Sequence, residues 1–384
     1  MKIGLVCPYN IFKGGGVQEC VIALQRQLTD KGHQALIITP RPNRVPQSNI
    51  DGLELVGTAK EIKSPFHTTA QVSVILDPKQ LDELLVRHKF DVLHVHEPWV
   101  PLLGWQLLSH AQCATVATFH AKLPETAMSK TIEKVIAPYT KAMLKSLTAF
   151  TAVSTAAAEY VNTLQKQMPI IVPNGIDLET YQYKKQTARD KDMILYIGRL
   201  ERRKGVQHLL RAYKVLKNQR PTSRLVIAGD GPDREKLESF AKSQRLADVV
   251  FLGHITERKK LQLLKKTTIF CSPALYGESF GIVLLEAMAT GAVVVAGDNP
   301  GYRSVMQERG SISIVDPKNT TAFVNRLKLL MADESIRALW QEWATLYVKQ
   351  FDYQVIAQNY LDVYQHALTL QQTQNTFKDT GRRI

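Results

Sequence analysis

The segment Gly277-Glu278-Ser279-Phe280-Gly281-Ile282-Val283-Leu284-Leu285-Glu286-Ala287-Met288-Ala289-Thr290-Gly291 sets two carboxylates eight residues apart in an otherwise apolar run. A carboxylate inside such a run is costly unless donors surround it, so Glu286 needs partners or a ligand. The pattern predicts a helix from about Ser279 to a terminating glycine at 291. Eight helical residues rise about 12 Å, comparable to the reach from sugar to ribose in a nucleotide sugar. The helix N-terminus between the two acids would offer free N–H groups to phosphate. The competing reading makes Glu278 a surface residue and Glu286 an internal structural bond.

Cations stand in the same half of the chain. Ile197-Gly198-Arg199-Leu200-Glu201-Arg202-Arg203-Lys204-Gly205 ends a strand-like run and enters a helical one, and Arg199 to Arg224 holds nine basic residues against one acid. Arg199 and Lys204, bracketing the turn, are placed to clamp a diphosphate, one with a forked guanidinium and one as a point charge. Lys214 and Lys217 read as a solvated helix face. In the first half, Lys13-Gly14-Gly15-Gly16-Val17-Gln18 follows a strand and opens an amphipathic helix, where backbone N–H groups can approach an anion. Its spacing is neither Gly-x-Gly-x-x-Gly nor a P-loop, and a plain tight turn is the alternative. His120 ends the apolar strand Ala117-Thr118-Phe119 at the position expected to face the cleft, where a functional role competes with that of a satisfied structural histidine. His94 and His96 share one strand face; a metal pair is conceivable, but no third ligand stands at a recognised spacing, so buried structural histidines are the commoner reading.

These residues need elements that hold them at strand ends. Short β-branched runs alternate with helical patterns: Ile3 to Pro8, Ala35 to Thr39, Val92 to His96, Thr115 to His120, Phe150 to Ser154 and Ile170 to Val172 in one series. A second series comprises Ile194 to Gly198, Leu225 to Gly229, Val249 to Gly253, Ile269 to Pro273, Val293 to Ala296 and Ile312 to Val315. Such alternation predicts α/β architecture with two doubly wound parallel sheets. The length of 384 residues suits two domains. The turn chemistry of Pro173-Asn174-Gly175-Ile176-Asp177 places the boundary near Pro173, giving domains 1–173 and 174–354. The last helical pattern, Val355 to Leu370, is expected to pack back onto the first domain, followed by a frayed polar tail, 371–384.

A formal charge of +14 implies attraction to something anionic. The basic residues outside 199–224 are scattered without a recognised nucleic-acid module, which argues against nucleic acid. No apolar run is long enough to span a bilayer. The N-terminus reads as a first strand, and four dispersed cysteines read as reduced thiols of a cytosolic protein. Lys130, Lys134, Lys141 and Lys145 would line one helical face if a helix survives Pro138, either resting on anionic lipid or simply solvated.

Taken in order, Gly15-Gly16-Val17-Gln18, His94-Val95-His96-Glu97-Pro98, Thr118-Phe119-His120, Pro173-Asn174-Gly175-Ile176-Asp177, Gly198-Arg199 with Lys204-Gly205, Gly229-Asp230-Gly231-Pro232 and Gly277 to Gly281 resemble retaining glycosyltransferases of family 4. The phosphatidylinositol α-mannosyltransferases are the most similar members, with departures at Trp99, Ala121 and Glu125 around the acceptor. The resemblance implies the GT-B fold, two Rossmann-like domains facing a cleft. It also implies a metal-independent, retaining hexosyltransferase without a cofactor, taking GDP-mannose or, alternatively, a UDP-sugar, and serving glycolipid biosynthesis. It casts His120, Arg199, Lys204 and Glu278 as catalytic. Gly15, Gly16, Ile255, Phe280, Gly281, Ile282, Val283 and Glu286 join Arg199, Lys204 and Glu278 in donor binding, and Tyr9 and Gln18 contact a lipid or glycan acceptor. The enzyme would lie in the cytoplasm, peripheral on the inner face of the membrane. A nucleotide-sugar epimerase or hydrolase of the same architecture is the runner-up.

Overall fold

The structure, a computed structural model, describes residues 1–47, 50–63, 69–74, 78–100, 102–122, 127–182 and 188–381. The chain divides into two compact units, Met1–Gly175 with Tyr353–Ile384, and Ile176–Asp352.

The first unit contains β1 (Lys2–Val6), β2 (Gln34–Pro40), β3 (Leu53–Val56), β4 (Thr58–Lys63), β5 (Thr69–Val74), β6 (Val92–His96), β7 (Ala114–Phe119), β8 (Ala149–Ala152) and β9 (Ile170–Ile171). All but β4 and β5, which form an antiparallel pair of their own, build one sheet in the order β3-β2-β1-β6-β7-β8-β9. Every pairing in that sheet is parallel. Because side chains alternate faces, Ile3, Leu5, Ile37, Val92 and Val116 pack one way, and Val6, Ile38, Leu93 and Val95 the other. The first face is covered partly by the helix Tyr353–Gly381, whose Ile356, Ala357, Tyr360, Val363, Tyr364 and Ala367 form a stripe of helical period. That helix continues through the tail expected to fray, as far as Gly381.

The second unit holds β10 (Asp190–Ile197), β11 (Arg224–Ala228), β12 (Val249–Gly253), β13 (Thr267–Ser272), β14 (Val293–Gly297) and β15 (Ile314–Val315) in the order β12-β11-β10-β13-β14-β15. Numbered from β10, this is the 3-2-1-4-5-6 order of a Rossmann sheet, whose ligand position lies beyond the carboxyl ends of its first and fourth strands. Those ends are Ile197 and Ser272. The strand β13 and the strand β14 are buried along their whole length, as expected of strands covered on both faces.

All twelve anticipated strands are present. The strands β3, β4 and β5 were not anticipated: β3 is a four-residue edge strand, and β4 and β5 carry polar-rich sequences with little apolar signal. No helix among the described residues is long and apolar enough to cross a membrane.

Candidate active site

In the second unit, β10 delivers the chain to Gly198-Arg199 and a short 3-10 turn, Arg202–Lys204, closed by Gly205. Gly205 has φ 71°, and a Cβ there would lie 2.0 Å from the Pro273 carbonyl oxygen, so the turn after β10 nests directly against the turn after β13. This contact aims Arg203 and Lys204 at Glu278. Lys204 Nζ and Arg203 Nη1 each lie 2.7 Å from Glu278 Oε1, and Arg203 also donates to the Gly277 carbonyl at 3.0 Å. Glu201 takes the other arm of Arg203 at 2.7 Å and lies 3.7 Å from Arg199 Nε. Three cations thus share two carboxylates. Burial works against the Arg203 charge, but the neighbouring Glu278 and Glu201 raise its pKa above the ordinary guanidinium value. The structure brings Arg199, Lys204 and Glu278 into one network and adds Glu201 and Arg203, which sequence reasoning missed. The Arg202-Arg203-Lys204 run does not show which side chain turns inward; the 3-10 turn leaves Arg202 exposed.

The basic cluster is also smaller at this end than its sequence density suggests. Arg220 pairs with Asp192 at 2.7 Å and Arg224 with Asp190, beside the starts of β10 and β11. Lys217, expected on a solvated face, is instead folded onto Asp248 and the Pro221 and Ser223 carbonyls.

The helix after Glu278 runs Ile282–Ala289, three residues later than expected, and its C-cap is Thr290. Only part of the interval from Glu278 to Glu286 is therefore helical, and the continuous eight-residue rise does not apply. The cause is Gly281, at φ 108°, where a side chain would meet the fully buried Tyr302 ring at 2.8 Å. Gly281→Ala is expected to cost about 3 kcal/mol through strain and overpacking, read as a lowered midpoint in urea. Phe280 turns inward, its ring edge-on to Phe351 at 5.9 Å, so only its backbone can serve a ligand. Gly281, Ile282 and Val283 are half-buried at the open end of the helix.

Glu286 is buried and finds its donors within the protein: Lys260 Nζ at 2.7 Å and the Tyr181 hydroxyl at 3.0 Å, both on Oε1. Lys260 also reaches Glu257 at 2.7 Å. Burial and the adjacent Glu286 push the Tyr181 phenol up; the Lys260 ammonium is raised too, burial opposing it and Glu286, Tyr181 and Glu257 together outweighing that. The helix Glu257–Lys266 that supplies Lys260 starts just after Ile255, so the Ile255 turn and Glu286 belong to one neighbourhood.

In the first unit, Gly15 caps the helix Gly16–Asp30 without a side-chain hydrogen bond. Its φ of 171° suits any residue, but a Cβ would sit 2.6 Å from Gln18 Oε1; the turn is kept small by the Gln18 carboxamide folded over it. Tyr9 follows β1, and its phenol is raised by burial and then by the Glu97 charge. His120 follows β7 and is 7 % exposed. Its Nε2 lies 2.9 Å from His96 Nδ1, while Glu97 Oε1 accepts from the backbone N–H of His120 and, at 2.7 Å, of Ala121. His94 joins Tyr364 at 2.8 Å and Thr118 at 2.7 Å. Burial pulls His94 down to about 3 and His120 to about 4, with His96 well below the ordinary value. Burial pushes Glu97 up to about 7 against those backbone donors. Among the described residues no group of three or more His, Cys, Asp or Glu is placed to hold a metal ion, and His94 and His96 are buried and hydrogen-bonded. Trp99 packs edge-on to Phe119 at 5.4 Å. Glu125 lies outside the described residues.

Residues 14–180 match the family described as Glycosyltransferase Family 4, and residues 178–346 match Glycosyl transferases group 1. This chain belongs to glycosyltransferase family 4. The glycosyltransferase is 28% identical over 372 residues to the phosphatidyl-myo-inositol mannosyltransferase of Mycolicibacterium smegmatis, covering 95% of this chain and 94% of that one. Its fold is that of sucrose-phosphate synthase from Thermosynechococcus elongatus, at a TM-score of 0.75 and 19% identity over 96% of this chain and 99% of that one. Anabaena HepE in complex with UDP and glucose gives 0.73 and 19%, covering 94% of this chain and 99% of that one. The glycosyltransferase therefore has the GT-B fold.

Proposed function

We propose that this glycosyltransferase moves mannose from GDP-mannose, with retention of configuration, to a lipid or glycan acceptor at an anionic membrane surface. The observation that carries the reading is the convergence of Arg203 and Lys204 on Glu278 beside Arg199. A carboxylate gripped by cations at a strand end is suited to bind sugar hydroxyls while the cations face a diphosphate. Arg199, Lys204, the Gly281–Val283 backbone and the amides at Gly15 and Gly16 would stabilise charge growing on the leaving diphosphate, without a metal ion. The departing phosphate takes the acceptor's proton on the same face that the acceptor attacks. His120 contacts the transferred sugar, Glu286 the ribose and Ile255 the base, with Tyr9 and Gln18 on the acceptor. The likeness to mannosyltransferases supports guanosine and mannose. A UDP-sugar is the second reading, favoured by the UDP and glucose bound to HepE.

A thermal-shift panel of nucleoside diphosphates and their sugars separates the two, because a ligand selective for the folded state raises its melting temperature, by about 2.7 kcal/mol of stability at a hundredfold excess over its dissociation constant. GDP and GDP-mannose are expected to act, and UDP compounds not. The reverse pattern transfers the assignment to a UDP-sugar, and no response to any of them removes it. Anomeric analysis of the product tests retention. Turnover undiminished by a chelator is the outcome expected of a metal-independent site.

The membrane element of the proposal draws on the helix Ala127–Leu144, which continues through Pro138. Lys141 is exposed on it, Lys145 falls just beyond its end, and the side chains of Lys130 and Lys134 lie outside the described residues. Salt-sensitive flotation with anionic but not neutral liposomes is expected; no binding to either would end the membrane element.

A further inference from the structure

We propose that His96 is a positioning residue for His120, donating from Nδ1 to His120 Nε2 and so fixing the His120 ring in its Nδ1–H tautomer. The inference rests on the reading that His120 acts on the transferred sugar. The two nitrogens are 2.9 Å apart, and one proton lies between them. Its owner follows from the far side of His96, where Nε2 is buried without a hydrogen-bond partner among the described residues. Were His96 the acceptor, its own proton would sit on Nε2 as an orphaned N–H in the interior, the rarer and costlier arrangement; as the donor it leaves there only an unused lone pair. His96 therefore donates and His120 Nε2 accepts. A neutral His120, its pKa held low by burial, then carries its proton on Nδ1.

The surroundings agree with that direction. The Asn174 side chain beside His120 favours the protonated form of the ring, against the larger effect of burial. Asn174 Oδ1 is buried and, among the described residues, accepts no hydrogen bond. His96 cannot swing away, because its ring lies between those of His94, at 4.1 Å, and His120, at 5.1 Å between centroids. Both nitrogens of His94 are already bonded, to Tyr364 and Thr118. The next residue, Glu97, holds the His120 backbone through its amide. Two consecutive residues at the end of β6 thus fix one histidine, His96 by its ring and Glu97 by its main chain. A ring held in this way presents a constant dipole and exchanges no proton with the substrate.

Two-bond ¹H–¹⁵N correlation spectra of histidine-labelled protein test the lock directly. In the wild type, His120 Nε2 is expected to be pyridine-like and Nδ1 pyrrole-like; a pyrrole-like Nε2 overturns the proposal. In His96→Leu the two His120 nitrogens are expected to shift toward the averaged values of exchanging tautomers. Transfer should then lose roughly 10- to 100-fold in kcat with the donor KM unchanged. His96→Asn, whose carboxamide N–H can donate from the position of Nδ1, is expected to recover both. Unchanged nitrogens in His96→Leu overturn the lock whether or not the protein transfers mannose. Changed nitrogens with unaltered kcat overturn its service to transfer. Should His96→Leu fail to fold, the wild-type spectrum alone decides.

Discussion

Replacing Lys204 with alanine is expected to slow sugar transfer about 10²- to 10³-fold, the usual loss when one preorganised charge-stabilising donor is removed from a site. The side chain is 18% exposed and ends 2.7 Å from Glu278 Oε1, so its charge acts from a partly dried position where Coulomb terms are large. Stability should change far less. Arg203 sits at the same distance from the same oxygen and also binds the Gly277 carbonyl, so Glu278 keeps a partner and the turn keeps its shape. Lys204→Arg should recover little, since a planar fork cannot occupy the volume and direction of a compact ammonium. Labelled-donor kinetics with purified variants, alongside urea unfolding, checks both parts. A near-wild-type rate in Lys204→Ala would dismiss this network as the diphosphate site; a large loss of stability would recast Lys204 as a structural residue.

The buried histidines make the first unit sensitive to acid. His94, His96 and His120 have folded pKa values below that of an unfolded histidine. Their contribution is therefore complete above the unfolded value near 6.5 and is lost as pH falls toward the folded values. Glu97 has the opposite sign, its folded value of about 7 lying above the ordinary value of 4.5, so it favours the folded state increasingly as pH falls across that interval. Three protons taken up preferentially by the unfolded chain, less one by the folded chain, leave two. Stability should then fall by about 3 kcal/mol per pH unit between roughly 6 and 4.5. Urea unfolding at pH 7, 6 and 5, followed by a probe in the first unit, measures it. His94→Asn should reduce the slope by about 1.4 kcal/mol per pH unit, a difference that cancels the titration of every group shared by the two proteins. Equal slopes would mean that His94 is not buried in its neutral form.

The sequence carried much of this. Parallel strands covered on both faces must be apolar along their length, and segments such as Val293 to Ala296 declare themselves by composition alone. Strand ends followed by glycine turns and charged residues mark where Arg199, Lys204 and His120 lie, since an α/β sheet places its loops there whatever its details. Short or polar strands escape this logic, which is why β3, β4 and β5 were missed. Glycine at 281 was visible, but not its positive φ, which delays the helix, nor the Tyr302 ring twenty-one residues onward that leaves no room for a side chain there.

Pairing is what only the folded chain decides. Glu286 announced itself as an acid needing donors, yet nothing local names Lys260 and Tyr181, which come from a helix and a loop far along the chain. Likewise the run Arg202-Arg203-Lys204 offers three equivalent cations until a 3-10 turn points two of them at Glu278. His96 differs from any other strand histidine only because β7, brought alongside β6 by the sheet, sets His120 against its Nδ1. Backbone periodicity is a local property and can be read from residue order; which side chains share a proton or a charge depends on separations of a few ångströms between distant segments, and those are fixed only when the sheet and its turns have closed.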